Sequence, residues 1–428
     1  MGAMAVSGII AATFVGSAQA ADTNTANAAK IPAVGSDTID EVVGALSALP
    51  GLDIANYNAT GSATVSTTAN YPSPKNAASA CGSYSRQNGS GNGKNALSAA
   101  MRGISYGGST NFLECVGIAR SSSSGFPADA NGVVTVPSGT MARIPLALDA
   151  VAPAVKNSSS ISKQFTYDFL KSVYTRNGVA GSADCLGVAP LVPQAGSGTR
   201  GFWATSMGVT DYDFSGTAGA VAQPPAGKQT WGSCVTGGAA NPLGFGAGLA
   251  GGGQPGDRAG TPTGPAIQEH DGTALSAANM VVPISIAQNI VMGSQLIADK
   301  RGSSQLASVD FTKIGTETDI VSLFPDANDQ NLRHPYAMNG GSGVTGFSGA
   351  RGNLTRTVYL FVPRALYDST FTANAAAPGF GSIPAADKDK FKAEFANLGA
   401  STMCQASSTI TLYGFSPVSD CGTPTLNP

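Results

Sequence analysis

Along the chain, short apolar runs alternate with segments whose apolar residues recur at helical spacing. Ile31-Pro32-Ala33-Val34 reads as a strand running into Gly35-Ser36-Asp37-Thr38. Ile39, Val42, Val43, Leu46 and Leu49 then recur at helical steps, with Asp40 and Glu41 in the first turn, which predicts a strand, a tight loop and a helix N-terminus. Ala96–Met101 reads as helix, and Cys115–Ala119 as a buried strand ending at Arg120–Ser124. Arg143–Leu148 and Val151–Val155 form an apolar extended stretch, and Phe165–Tyr174 an amphipathic helix. Leu186–Val192 predicts a strand leading to Gly196–Trp203, and Val281–Gln295 a strand followed by a buried helix. Thr357–Pro363 is expected as a strand, Asp387–Leu398 as an amphipathic helix and Thr409–Phe415 as a last strand. Strands alternating with helices in this way predict α/β lobes with largely parallel sheets. Residues 56–95, rich in Asn, Ser, Gly and Thr, read as a long surface excursion, and the Gly- and Pro-dominated Gly244–Pro265 as a loop or insertion.

A length of 428 residues suggests two lobes or domains, each able to bury a core. The formal charge is −2, only 12% of residues are Asp, Glu, Lys or Arg, and no basic block occurs, which argues against a nucleic-acid partner. Met4–Val15 is apolar and is followed by small residues at Ala18 and Ala20, an A-x-A pattern that predicts a signal peptide over residues 1–20, cleaved after Ala20. No cysteine sits at the cleavage point, so the expectation is a secreted protein without a lipid anchor. Six cysteines in an exported chain suggest disulfides, and their fifteen connectivities stay open at this level. With two histidines and no C-x-x-C pair, neither a structural zinc nor a cofactor is expected.

Candidate chemistry lies in the polar loops. Gly35–Thr38, Arg120–Ser124 and Gly196–Arg200 each follow a strand, and Gly89-Ser90-Gly91-Asn92-Gly93 is similar in composition. Helix N-termini present unpaired N–H groups and partial positive charge, glycine lets the backbone approach an anion, and Ser or Thr adds donors without bulk. Arginine supplies a planar fork for two oxyanion oxygens. Any one such loop is ordinarily no more than a helix cap.

Taken in order, Val34–Thr38, Gly89-Ser90-Gly91, Gly117–Ser122, Ile144–Leu148, Phe165–Tyr174 and Gly196-Ser197-Gly198-Thr199 resemble the phosphate-binding proteins of bacterial ABC transporters. The resemblance implies a type II periplasmic-binding-protein fold: two lobes around a ligand cleft, joined by two crossing hinge strands near Ile144 and Val358. One lobe would take residues 31–145 and 355–428, the other 146–354. The ligand positions it implies are Asp37, Thr38, Ser90, Ser121 or Ser122, Ser197, Gly198 and Thr199, with Arg120 and Arg200 as the candidate cations. Pairing in sequence order, Cys81–Cys115, Cys185–Cys234 and Cys404–Cys421, would keep each disulfide within a lobe and leave the hinge free. The partners implied are inorganic phosphate or a similar oxyanion and an ABC-transporter permease, with the protein itself a monomer.

The chain departs from that pattern twice. Pro193 and Gln194 stand where the family carries an arginine before the G-S-G-T loop. Serines stand where it carries an aspartate that accepts the proton of hydrogen phosphate, a role that Asp37 is expected to fill.

Other readings compete. Gly103-Ile104-Ser105-Tyr106-Gly107 matches a G-x-S-x-G nucleophile elbow, but that motif needs a preceding strand where helix is predicted. Gly89–Lys94 lacks the first glycine and the final hydroxyl of a P-loop. The expected role is therefore binding rather than catalysis. The alternative on the same fold is a secreted protein with a scavenging, phosphatase-like or surface role, in which Gly244–Pro265 could meet a partner. Glu269-His270-Asp271 is expected to stabilise a turn rather than line the cleft, and His334 to lie on the surface.

Overall fold

The structure is a computed structural model that describes residues 30–68, 80–128, 134–178, 181–194, 196–209, 267–310, 354–372 and 374–428, with Asp22 and residues 231–232, 234–235, 320–321, 325–326 and 329–333. The segment 1–20, Gly244–Pro265 and His334 lie outside the described residues.

In chain order the elements begin with β1 (Ile31–Gly35), α1 (Asp40–Ser47), β2 (Ile54–Asn56), β3 (Thr64–Thr68), β4 (Ala80–Ser85), α2 (Ser90–Arg102), β5 (Ile118–Ser121) and β6 (Met141–Lys156). Then come β7 (Gln164–Thr166), α3 (Tyr167–Thr175), β8 (Ala189–Pro190), α4 (Gly198–Met207), β9 (Met280–Ser285), α5 (Ile286–Gly293), β10 (Ser304–Leu306) and β11 (Ser308–Asp310). The last are β12 (Ile320–Val321), β13 (Pro325–Asp326), β14 (Asp329–Arg333), β15 (Thr355–Pro363), α6 (Ala385–Phe395), α7 (Thr402–Gln405), α8 (Ser407–Leu412) and β16 (Thr425–Leu426).

A large mixed sheet runs β2-β1-β5-β15-β6-β9-β8, with β10 and β16 also on β6. The ladders β1–β2, β1–β5 and β8–β9 are parallel, as expected of α/β lobes. The middle is not: β15 is antiparallel to both β5 and β6, and β6 is antiparallel to β9. The two apolar stretches expected near residues 143–155 are one sixteen-residue strand, β6, buried almost throughout. Its residues up to Ala150 face β15, whereas Val151–Val155 face β9, so one strand carries the sheet from one body into the next.

The apolar residues sort the same way. One core takes Ile31, Val34, Leu97, Ile118, Ile144, Phe361 and Phe395. Beyond Ala150 the two-residue period of a strand sends Val151 and Val155 to one core, with Trp203 and Tyr174, and Ala152 and Ala154 to another, with Leu191 and Ile284. This second lobe is therefore a sheet covered on both faces, and the architecture is two-lobed α/β.

The disulfides form in sequence order, Cys81–Cys115, Cys185–Cys234 and Cys404–Cys421, with Cα–Cα distances of 5.6, 5.7 and 5.8 Å. Thr409–Phe415 is not a strand. Helix α8 covers Ser407–Leu412, because Ile410 alone enters the core while Leu412, which strand alternation would bury with it, is 56% exposed. The excursion at 56–95 contains an antiparallel β3–β4 ribbon that buries Val65, Thr67 and Tyr84 and is tied down by Cys81–Cys115. Leu186–Val192 supplies only the two residues of β8. The G-x-S-x-G stretch follows helix α2, whose end Gly103 caps in the left-handed conformation (φ 67°); the strand a nucleophile elbow requires is replaced by that helix.

Candidate functional site

Helices α2 and α4 point their N-termini at one another. The Gly91 N–H donates to the Gly196 carbonyl at 2.9 Å, an approach that only glycine permits: a Cβ on Gly89 would come within 2.6 Å of that carbonyl oxygen. Helix α4 is capped by Ser197, whose Oγ accepts from the Arg200 N–H at 3.0 Å.

Hydroxyls from both sides meet between these ends. Ser36 donates to Ser122 Oγ at 3.2 Å, Thr38 Oγ1 lies 3.3 Å from it, and Ser90 Oγ lies 3.2 Å from it while accepting from the Ser122 N–H. Thr38 Oγ1 lies 3.4 Å from Thr199 Oγ1. The fit is close enough that a Cβ on Gly198 would sit 2.2 Å from both Ser90 Oγ and Ser122 Oγ. Of the residues picked from sequence, Thr38, Ser90, Ser122, Ser197, Gly198 and Thr199 thus come together, and all are buried.

The others are placed elsewhere. Ser121 Oγ donates to the Ser123 carbonyl and steadies its own loop. The Arg120 guanidinium is fully buried, pairs with Asp40 at 3.3 Å, and donates to Asn56 Oδ1 and to the carbonyls of Ala33, Gly35 and Ser36, tying the ends of β1 and β2 together. Arg200 turns its Nη1 to the Pro193 carbonyl. Among the described residues none hydrogen-bonds to the Asp37 carboxylate. Burial first, and then neighbouring acidic groups, push that carboxyl up to about 7, against the pull of Lys300.

The guanidinium that does reach the cluster is Arg356 of β15. Its Nη2 donates to Thr199 Oγ1 at 3.0 Å and approaches Thr38 Oγ1 at 3.4 Å. Its Nε and Nη2 also hold Asp149 Oδ2 on β6, at 3.0 and 2.9 Å, so a buried ion pair spans the two long antiparallel strands. The remaining nitrogen, Nη1, is buried and has no hydrogen-bond partner among the described residues. Gln194 Oε1, two residues before Gly196, is likewise buried without one among the described residues.

Glu269 and His270 do lie in a turn, closed by the Asp271 N–H on the Gln268 carbonyl at 3.4 Å, while the Asp271 side chain accepts from the Thr273 N–H; beyond the expectation, the side chains of Glu269 and His270 also enter the cluster. The Glu269 side chain bonds to Ser197 Oγ, accepts from the Thr199 N–H at 3.1 Å and accepts from Thr38 Oγ1 at 3.1 Å. His270 Nδ1 accepts the Ser285 N–H at 3.1 Å, which leaves the ring proton on Nε2, 2.9 Å from Thr38 Oγ1. Burial, followed by the charges of Arg356 and Lys300, holds this imidazole well below its usual range and so neutral. A neutral ring with its proton already facing Thr38 cannot take a proton from that hydroxyl, so the Thr–His contact is not an activated nucleophile.

No family model matches the chain, and no curated protein is similar to it. Among solved structures it is similar to an ABC-type phosphate transport receptor from Vibrio cholerae, with 13% identity over 90% of this chain and 99% of that one and a TM-score of 0.38. It is also similar to a high affinity periplasmic phosphate-binding protein bound with phosphate, with 14% identity, 91% and 90% coverage and a TM-score of 0.44. A third is the ancestral soluble variant of the human phosphate binding protein, with 14% identity, 92% and 91% coverage and a TM-score of 0.45. These are phosphate binders of the kind the loops resemble; at such identities no residue role passes from them to this chain.

Proposed function

We propose that the chain is an exported binding protein that captures a tetrahedral oxyanion, inorganic phosphate first, between lobes formed by residues 31–145 with 355–428 and by 146–354. The observation that carries this reading is the gathering of Thr38, Ser90, Ser122, Ser197 and Thr199 in one buried cluster whose Thr38 and Thr199 meet an arginine with one guanidinium nitrogen unpartnered among the described residues. Burying an anion is unfavourable unless donors replace its water, and this cluster offers hydroxyls, two helix N-termini and the Arg356 fork. Arg356 therefore takes the role that sequence assigned to Arg120 or Arg200. The three disulfides fit export into an oxidising compartment. The neutral His270, whose ring proton faces Thr38, favours binding over hydrolysis. A monomer delivering its anion to an ABC-transporter permease completes the reading.

The test is isothermal titration of the chain from Ala21, stripped of ligand by unfolding and refolding, with phosphate and sulfate in turn. One-to-one micromolar phosphate binding, about −8 kcal/mol, that weakens at least tenfold in Thr199→Val is expected. Binding unchanged by Thr199→Val, or silence with both anions, overturns the assignment.

A further inference from the structure

The donors just assigned to an oxyanion already serve a carboxylate. Glu269 is 1% exposed, and its two oxygens take the Ser197 hydroxyl, the Thr199 N–H and the Thr38 hydroxyl. This is more than helix capping. Helix α4 has its own cap in Ser197, and Glu269, 70 residues from Thr199 in sequence, also reaches Thr38, 231 residues away, on the opposite side of the cleft. It is an anion seated where an anion is bound, between a helix N-terminus and hydroxyls that Arg356 also contacts.

Resting on the oxyanion reading, we infer that Glu269 is a built-in competitor for that site: its carboxylate occupies the G-S-G-T cradle, and phosphate binds by displacing it. Charge makes coexistence unfavourable. With Asp149 already neutralising Arg356, Glu269 would leave the pocket with an uncompensated negative charge facing the incoming dianion. There is room to leave. A groove of about 450 Å³ opens beside the segment, lined by its neighbours Gln268 and Asp271 and by the cationic Arg86 and Lys300. Glu269 thereby sets affinity: if the carboxylate fills the cradle about nine-tenths of the time, apparent binding is about tenfold weaker than the bare cradle would give.

The experiment compares the whole chain with Glu269→Gln and Glu269→Ala by phosphate titration at one pH, and follows the melting temperature of each in sodium formate. Phosphate is expected to bind about tenfold more tightly to both variants. Formate, refilling the seat, is expected to raise the melting temperature of Glu269→Ala and leave that of the wild type unmoved. If Glu269→Ala does not fold, the isosteric Glu269→Gln carries the titration. Unchanged or weaker phosphate binding in Glu269→Gln, with the wild type binding normally, overturns the competitor and leaves the oxyanion reading standing. Silence of all three proteins toward phosphate overturns both.

Discussion

Replacing Arg356 with methionine separates the site from the scaffold. The substitution keeps an unbranched apolar side chain on β15 but removes the fork, leaving Asp149, whose side chain is fully buried, without its cation. Breaking a buried pair from one side costs about 3–5 kcal/mol. Asp149 keeps two donors, Ser285 Oγ at 2.8 Å and the Ala287 N–H at 3.3 Å, so the lower end, about 3 kcal/mol, is the expectation. In the double variant Arg356→Met with Asp149→Leu no buried charge is stranded, and at least about 2 kcal/mol should return as coupling energy. Urea unfolding followed by tryptophan fluorescence reads this directly, because Trp203 and Trp231 both sit in the core that Val151 and Val155 enter. Phosphate titration runs alongside, and binding should be lost in the single and the double variant alike. A single variant within about 1 kcal/mol of wild type, strict additivity in the double, or retained phosphate binding would each refute the role given to this arginine.

Two further outcomes follow from the geometry. Gly198→Ala forces a methyl against Ser90 and Ser122, displacing hydroxyls that now hold one another; a loss of two such bonds, about 2 kcal/mol, should weaken phosphate about thirtyfold by titration, and an unimpaired variant would deny that Gly198 is packed in the cleft. Asp37, with its folded value near 7 against an ordinary 3.8, stays protonated in the fold at pH values where the unfolded chain has ionised. The fold then holds the extra proton, so stability should fall as pH rises from about 4 to about 7, by no more than about 1.4 kcal/mol per unit, and level off above. Glu41, raised to about 7 by burial, acts in the same direction. Asp37→Asn should flatten the profile of urea midpoints; parallel profiles would remove Asp37 as the cause.

What the sequence made legible was local. Strand-loop-helix units with hydroxyl residues at the turn placed Thr38, Ser90, Ser122 and the G-S-G-T loop correctly in one cluster, because composition at a helix start is written in consecutive residues. The guanidinium that meets the cluster was not legible for the opposite reason. Arg120 and Arg200 are adjacent to these loops, but adjacency does not say which way a guanidinium turns: Arg120 turns to Asp40, Asn56 and backbone carbonyls, and Arg200 Nη1 to the Pro193 carbonyl. A signal for Arg356 did exist. It is the lone charge in Thr355–Pro363, and Asp149 is the lone charge between Ile144 and Val155. Two isolated opposite charges in two apolar strands of one sheet must meet or be stranded, and here they face each other across the ladder. Glu269 offered no such clue, since its partners lie 70 and 231 residues away. The strand expected at Thr409–Phe415 is a helix instead, because, of Ser407–Leu412, only Ile410 reaches the core.

The β6–β15 ladder changes register between Val358 and Tyr359, opposite Ala147 and Pro145, so β6 carries one extra residue there and Pro145 brings no N–H to the ladder. This weak point lies two residues from Arg356. A bearing works in the same way: parts at the rim travel far while material at the axle scarcely moves. Lobes that swing about such a pivot would sweep Ser90 and Thr199 through several ångströms yet hold Arg356 and Asp149 at nearly constant separation. The Arg356 fork, held by Asp149, would then keep its place whether the jaws were apart or together.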